Sequence, residues 1–421
     1  MKRTVFSKKG VNRREFIKGL GALGAGVTFS GFPRLAHSAE EVKLGIVEPL
    51  TGPLAPLGLS DRRGYEQAVD EINAAGGIKS LGGARIRIML GDSEGKPEVG
   101  MAETEKHIQR GAVAVMGAFQ SAVVFATTQV SEKYKTPFIV GIGVAEAITQ
   151  RGFKYTFRPI ATDVWHIRDQ FEYLAGIQKK KGIKIKTIGM LYEDTLWGQS
   201  SSKAWKRFAA EKGYSIAADL SYPAATSDVT GVISKLKAAN PDVVLTVSYI
   251  SDAILITRTM KDLDFNTQAF IGQGGGHQDD AYIRTLGKLA EYVTISEDCE
   301  SDLRVPGVKE ANENYLKRNG VEMDTVASMC YTCVYVLKDA LERAASVDRE
   351  KVREALTKTH LKPGEKGNIQ PGTIIFDESG QNKEARTVTS QIQGGKRRSI
   401  WPPEYAASEP IWPMPKWQDR I

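Results

Sequence analysis

Cys330 and Cys333 are the first residues to test for chemistry, because a C-x-x-C spacing can form a redox couple. Such a couple belongs at a helix N-terminus beside a βαβ unit, whereas these two lie inside "VASMCYTCVYVLKDALERA", which reads as a mostly buried helix. They are expected to be small core residues, free or disulfide-bonded. The five histidines (His37, His107, His166, His277 and His360) are far apart, with none at i, i+4 metal spacing. There is no G-x-S-x-G, no H-E-x-x-H and no G-x-x-x-x-G-K-[ST]. Gly19, Gly21 and Gly24 match G-x-G-x-x-G, but no strand precedes them, so the dinucleotide fingerprint is spurious. Residues 272–280, "GQGGGHQDD", follow a strand pattern but lack the Lys and Thr of a phosphate loop. They read as a strand-end loop with close backbone approach, Asp279 and Asp280 serving as helix caps or solvated acids. No nucleophile with its base, no metal site and no cofactor motif emerges, so catalysis is not expected.

Charge excludes another class. The net charge of +7 sits wholly in residues 1–38, which hold eight basic side chains and one acid, Glu15. The remainder balances 49 basic against 49 acidic residues, leaving no basic body to attract nucleic acid. Residues 1–39 read as an export signal: a basic start, the apolar "GLGALGAGVTFSG", then small residues suited to cleavage near Ser38 or Ala39. "NRREFIK" resembles the twin-arginine signal; a general secretory signal with a chance Arg pair is the alternative. The mature chain is thus expected to be exported, soluble and periplasmic. It has no further run long enough to span a bilayer and no Cys near the cleavage site to carry a lipid.

Beyond Val42 the pattern is strand, loop, helix, repeated. "VKLGIVE" precedes a helix ended by Gly76-Gly77, and "ARIRIML", "AVAVMG" and "TPFIVGI" continue the alternation. It restarts after "FRPIATD" with "KTIGMLYE", "YSIAADLSY", "VVLTVSY" and "AFIG". Two doubly wound α/β assemblies follow from this pattern. With 421 residues and no tether-like linker, they should pack as lobes. Long helices are expected at 307–319 and 324–345 and a strand at 372–377. The Pro- and Trp-rich residues 401–421 should form an extended tail laid over a lobe, a partner-binding segment being the lesser alternative.

In such sheets ligands sit beyond the carboxyl ends of strands, where helix N-termini aim backbone N–H groups. That rule selects Leu54–Leu57, Gln120–Ser121 and Gly141–Val144 in the first lobe, with Asp194–Trp197, Tyr249 and Gln273–His277 in the second. Ligand contacts are expected from Leu57, Gln120, Ser121, Ile142, Val144, Trp197, Tyr249, Gln273, Gly274 and His277. Several have a plainer reading: Leu57 as core, Ser121 as a helix cap, Trp197 and Tyr249 as packing.

"VKLGIVEPLTGPLAPLG", "GYEQAVDEINAAGGI", "FRPIATD" and "LYEDTLWGQ", in that order, resemble the type I periplasmic binding proteins of ABC importers, above all the branched-chain amino acid (Leu/Ile/Val) binding family. The resemblance covers residues 42–395. It implies two Rossmann-like lobes joined by a three-strand hinge and closing on a ligand. The implied lobes are 40–160 with 297–378, and 161–296 with 379–400. It also implies a monomer without cofactor that delivers its ligand to a membrane permease and ATPase subunits.

By the same resemblance, Ser121 matches the hydroxyl that binds the ligand carboxylate, and Trp197 and Tyr249 match aromatics over the ligand. Val144 stands where a Thr is expected, Gly274 where the family pairs an acid with the α-ammonium, and Leu57 where an aromatic forms the lip. An ammonium without its acid loses a charge-assisted bond of about 1.5–3 kcal/mol, unless Asp194 or Asp279 replaces it. The best-fitting ligand is therefore an aromatic or other apolar carboxylate. Aliphatic amino acids, amides and urea-like solutes stand as alternatives. An exported α/β enzyme, or a ligand-sensing subunit of a membrane receptor, are the rival classes.

Overall fold

The apolar run Val42–Glu48 becomes a central strand because a parallel strand covered on both faces favours a nearly unbroken apolar sequence. The computed structural model describes residues 41–420. The export signal expected over 1–39 lies outside the described residues. Strands β1 (Val42–Glu48), β2 (Ile86–Asp92), β3 (Ala114–Gly117), β4 (Phe138–Val140) and β5 (Thr156–Phe157) form an all-parallel sheet in the order β2-β1-β3-β4-β5. Helices α1 (Ala55–Ala74), α2 (Pro97–Gln109) and α3 (Ser121–Lys133) connect them. Pro56 sits in the first turn of α1, where its missing N–H costs nothing, and Gly76 and Gly77 follow its end with φ of 98° and 68°.

Helix α4 (Asp163–Lys181) leads into the second lobe, where β6 (Thr187–Glu193), α5 (Leu196–Lys212), β7 (Ser215–Tyr222), α6 (Thr230–Ala239), β8 (Val243–Val247), α7 (Ile250–Asp262), β9 (Ala269–Gln273), α8 (Asp280–Leu286) and β10 (Thr294–Glu297) alternate. The chain then returns to the first lobe with α9 (Val308–Asn319), α10 (Thr325–Ala344), α11 (Arg349–Thr357) and the small β11 (His360–Leu361) and β12 (Ile374–Ile375) pair. Strands β13 (Val388–Gln393) and β14 (Lys396–Trp401) complete a seven-stranded sheet, β14-β13-β10-β9-β8-β6-β7, its last two strands antiparallel. Helix α10 lies so close on α1 that a Cβ on Gly64 would stand 2.1 Å from the Ala327 carbonyl oxygen. Only glycine permits that approach. Cys299, Cys330 and Cys333 are free and buried, and burial pushes their thiols up, away from reactive thiolates.

Three passages of chain cross between the lobes, after β5, after β10 and before β13. They are stitched together. Arg158 N–H donates to the Gly380 carbonyl (2.8 Å), Asn382 N–H donates to the Arg158 carbonyl (2.9 Å), and Ala161 N–H donates to Asp298 Oδ1 (3.2 Å). The fully buried Arg158 guanidinium is satisfied by hydrogen bonds, donating to the carbonyls of Gly143 (3.0 Å) and Ala145 (2.8 Å) and to Thr149 Oγ1 (2.9 Å). One hinge residue thereby fixes the loop after β4.

The C-terminal segment differs from a plain extended tail. Trp401 closes β14, and the short helix α12 (Trp417–Arg420) ends the described chain. Between them Trp412 packs edge-on against Tyr173, and the Trp417 indole N–H donates to the Phe265 carbonyl at 2.7 Å. Among the described residues no helix is long and apolar enough to cross a membrane.

Candidate functional site

Strands β3 and β4 end at one side of a cleft, and β6, β8 and β9 end at the other. The residues that follow those ends enclose a cavity of about 460 Å³, a figure that includes its open mouth. The first lobe contributes Phe119, Gln120, Ser121, Ile142, Val144 and Met329. The second contributes Trp197, Tyr249, Gln273, Gly274, Gly275 and Gln278, and His166 and Asp298 come from the hinge. Among the described residues, no Lys or Arg lines it.

The lobes meet across this cavity. Glu146 N–H donates to Ser200 Oγ at 3.3 Å, Leu196 packs against the first-lobe core, and Leu54 touches the cores of both lobes. This is a closed arrangement. The apolar loop after β1 thus acts through Leu54, as an inter-lobe contact.

Polar groups are few and placed at particular points. Helix α3 starts at the cavity with no side-chain cap, so its first N–H groups and its positive dipole end face the space. Ser121 Oγ accepts the Ala145 N–H (3.2 Å), which leaves the hydroxyl proton free to donate. Glu193, at the end of β6, accepts the Gly198 N–H (2.8 Å) and steadies the first turn of α5, which carries Trp197. Trp197 and Tyr249 are in contact, ring centroids 5.3 Å apart. The Trp197 indole nitrogen and both ends of the Gln273 amide are buried without a partner.

The glycine run has a steric cause. Gly275 has φ +57°, and a Cβ there would come within 2.4 Å of Trp197 Cη2. A Cβ on Gly276 would lie 2.5 Å from the Ile250 nitrogen. Two expected site residues lie elsewhere. Because Pro56 allows α1 to begin at Ala55, Leu57 falls on the inward face of its first turn and is fully buried in the core. His277 turns inward beneath Gly272, between Phe270 and Tyr282, and Gln278 of the same turn lines the cavity instead. Burial lowers the His277 pKa to about 3, so its ring is neutral.

The acids considered as substitutes for Gly274 are occupied away from the cavity. Asp279 caps α8 by accepting the Ala281 N–H (2.6 Å), and Asp194 accepts the Ala224 N–H (3.2 Å). The lining carboxylate is Asp298, paired with His166 Nε2 at 3.0 Å, and His166 Nδ1 contacts Ser296 Oγ at 3.1 Å. The strand-end rule would have found Asp298 had "VTISE" been read as a strand. Met329 had no comparable signal, since it arrives by the packing of α10.

Comparison with known proteins agrees with this architecture. A model of the periplasmic binding protein family matches residues 41–396. The chain is 30% identical over 383 residues to Leu/Ile/Val-binding protein homolog 7 of Brucella melitensis, covering 89% of this chain and 94% of that one. Its fold is similar to a leucine binding protein of Thermotoga maritima (TM-score 0.75, 21% identity, 85% of this chain and 97% of that one). It is also similar to an ABC transporter solute binding protein of R. palustris in complex with benzoate (TM-score 0.74, 18% identity, 88% and 99%).

Proposed function

The chain belongs to the periplasmic binding protein family, and we propose that it captures a small aromatic or other apolar carboxylate between its lobes for delivery to the permease and ATPase subunits of an ABC importer. The carboxylate would lie at the α3 N-terminus, taking the Ser121 hydroxyl proton and backbone N–H groups. Phe119, Ile142, Val144, Trp197 and Tyr249 would surround the apolar body, with Gln120 and Gly274 at its margins. The observation that carries this reading is the pairing of an uncapped helix start and a free hydroxyl with aromatic walls and no lining Lys or Arg. Partial charges and one hydroxyl can bind a monocarboxylate in a closed site yet release it on opening.

Asp298 favours a second reading, an aliphatic amino acid, because a carboxylate in the lining can meet an ammonium; the relative's name points the same way. Against it, both Asp298 oxygens are engaged, Oδ2 by His166 and Oδ1 by the Ala161 N–H.

A thermal-shift screen of aromatic acids, aliphatic amino acids, amides and sugars tests the assignment, with each solute analysed for chemical change afterwards. A ligand at about 100 times its Kd adds roughly 2.7 kcal/mol of stability. Aromatic acids should raise Tm and be recovered intact. Stabilisation by leucine or valine alone would replace the first reading by the second, and turnover would replace both by an enzyme.

A further inference from the structure

Gln273 ends β9 in the cavity lining and is only 1% exposed, and among the described residues neither its Oε1 nor its Nε2 has a hydrogen-bond partner. The Trp197 indole N–H, 6% exposed in the same wall, is also unpartnered. Native proteins pair nearly all such buried groups, so three orphans on one wall of a cavity mark a place for a polar ligand atom. They belong to the second lobe, whereas Ser121 and the α3 start belong to the first. A ligand held by its carboxylate at α3 would present its far end to this wall.

The three orphans need opposite things. Gln273 Oε1 requires a donor, while Gln273 Nε2 and Trp197 Nε1 require an acceptor. A second carboxylate accepts but cannot donate, and no Lys or Arg lines the wall to balance it. An ammonium donates but cannot accept. A hydroxyl does both and is small.

We propose that Gln273 and Trp197 form a hydroxyl-reading subsite, so that the protein selects hydroxy-substituted aromatic carboxylates over the unsubstituted acids. This rests on the carboxylate reading above and adds its substrate class. The discrimination should be large for one small group, because a site built to hydrogen-bond a hydroxyl penalises the analogue that leaves its buried groups unpaired.

Calorimetric titration of the purified protein with benzoate and with 3- and 4-hydroxybenzoate is the test, repeated on Gln273→Leu. A hydroxybenzoate should bind about 10-fold or more tightly than benzoate. Gln273→Leu should lose most of that preference, and a melting curve on the same variant shows that it is folded. A preference of about twofold or less, or one that survives Gln273→Leu, would overturn the subsite while leaving the carboxylate reading intact. Failure of all three acids to bind wild type, with an unchanged melting curve, would overturn the carboxylate reading and the subsite with it.

Discussion

Phe119 of the first lobe and Tyr249 of the second stand with ring centroids 6.5 Å apart across the cleft, tilted at 45°. Each follows a parallel strand, and each is buried. Opening the hinge would expose both rings, so the aromatic lining is itself part of what favours closure. A flat or apolar ligand between such walls adds buried surface in the closed state only, and this differential affinity is what can shift the equilibrium between open and closed forms.

Gly275→Ala should weaken ligand binding by about 10-fold or more without unfolding the protein. The added Cβ meets Trp197 Cη2 at 2.4 Å and the Ser248 carbonyl at 2.7 Å, and the backbone there has φ +57°. Strain of that kind costs roughly 1–3 kcal/mol. Titration and a melting curve on the same variant check both halves of the expectation.

Ser121→Ala should cost about 1.5–3 kcal/mol of carboxylate binding, the value of a charge-assisted hydrogen bond. Ser121→Thr should recover much of it, because the hydroxyl returns. Equal losses in both variants would mean that packing at this position matters and donation does not.

His277→Leu should flatten the acid limb of the stability profile. The folded-state pKa near 3 lies below the unfolded value of about 6.5, so the stabilisation is fully present above pH 6.5. It is lost as pH falls from there toward 3, because the unfolded chain takes up a proton that the buried ring refuses. Between pH 7 and pH 5 the wild type should lose about 2 kcal/mol more than the variant. Chemical denaturation at the two pH values measures the difference.

Asp61→Asn should stabilise the protein at neutral pH. Asp61 and Glu48 are fully buried beside Cys330, and among the described residues both Asp61 oxygens lack hydrogen-bond partners. Burial above all, then the neighbouring acids, raises both carboxyl pKa values well above normal. The sign is opposite to that of His277. The folded state holds its protons more tightly, so the pair's contribution is greatest below the unfolded pKa near 4 and is lost as pH rises. The gain from Asp61→Asn should therefore shrink on going from pH 8 to pH 5, and melting curves at both values test it.

Much of the fold was readable because its central strands are nearly unbroken apolar runs: "VKLGIV", "TIGMLY" and "VVLTV" place apolar residues on both faces. Strand-end logic then led to Ser121, Trp197, Tyr249 and Gln273, since position after a strand is a local property. What escaped it was set by longer-range packing. Leu57 turned inward because α1 already begins at Ala55, which places it in the helix, on the buried face, and not in the preceding loop. Asp298 follows β10, whose "TISE" holds a single apolar residue and pairs with β13, nearly a hundred residues later. Met329 reaches the cavity only because α10 returns to pack on α1.

The most direct test of the central claim is an isothermal titration of wild type and Trp197→Ala with an aromatic carboxylate and with leucine, side by side. One aromatic acid should bind per chain, with a negative heat-capacity change from apolar burial, affinity lost in Trp197→Ala, and no heat from leucine. Tight leucine binding with no response to the aromatic acid would contradict that claim, and would point to Asp298 as the group that receives the ammonium.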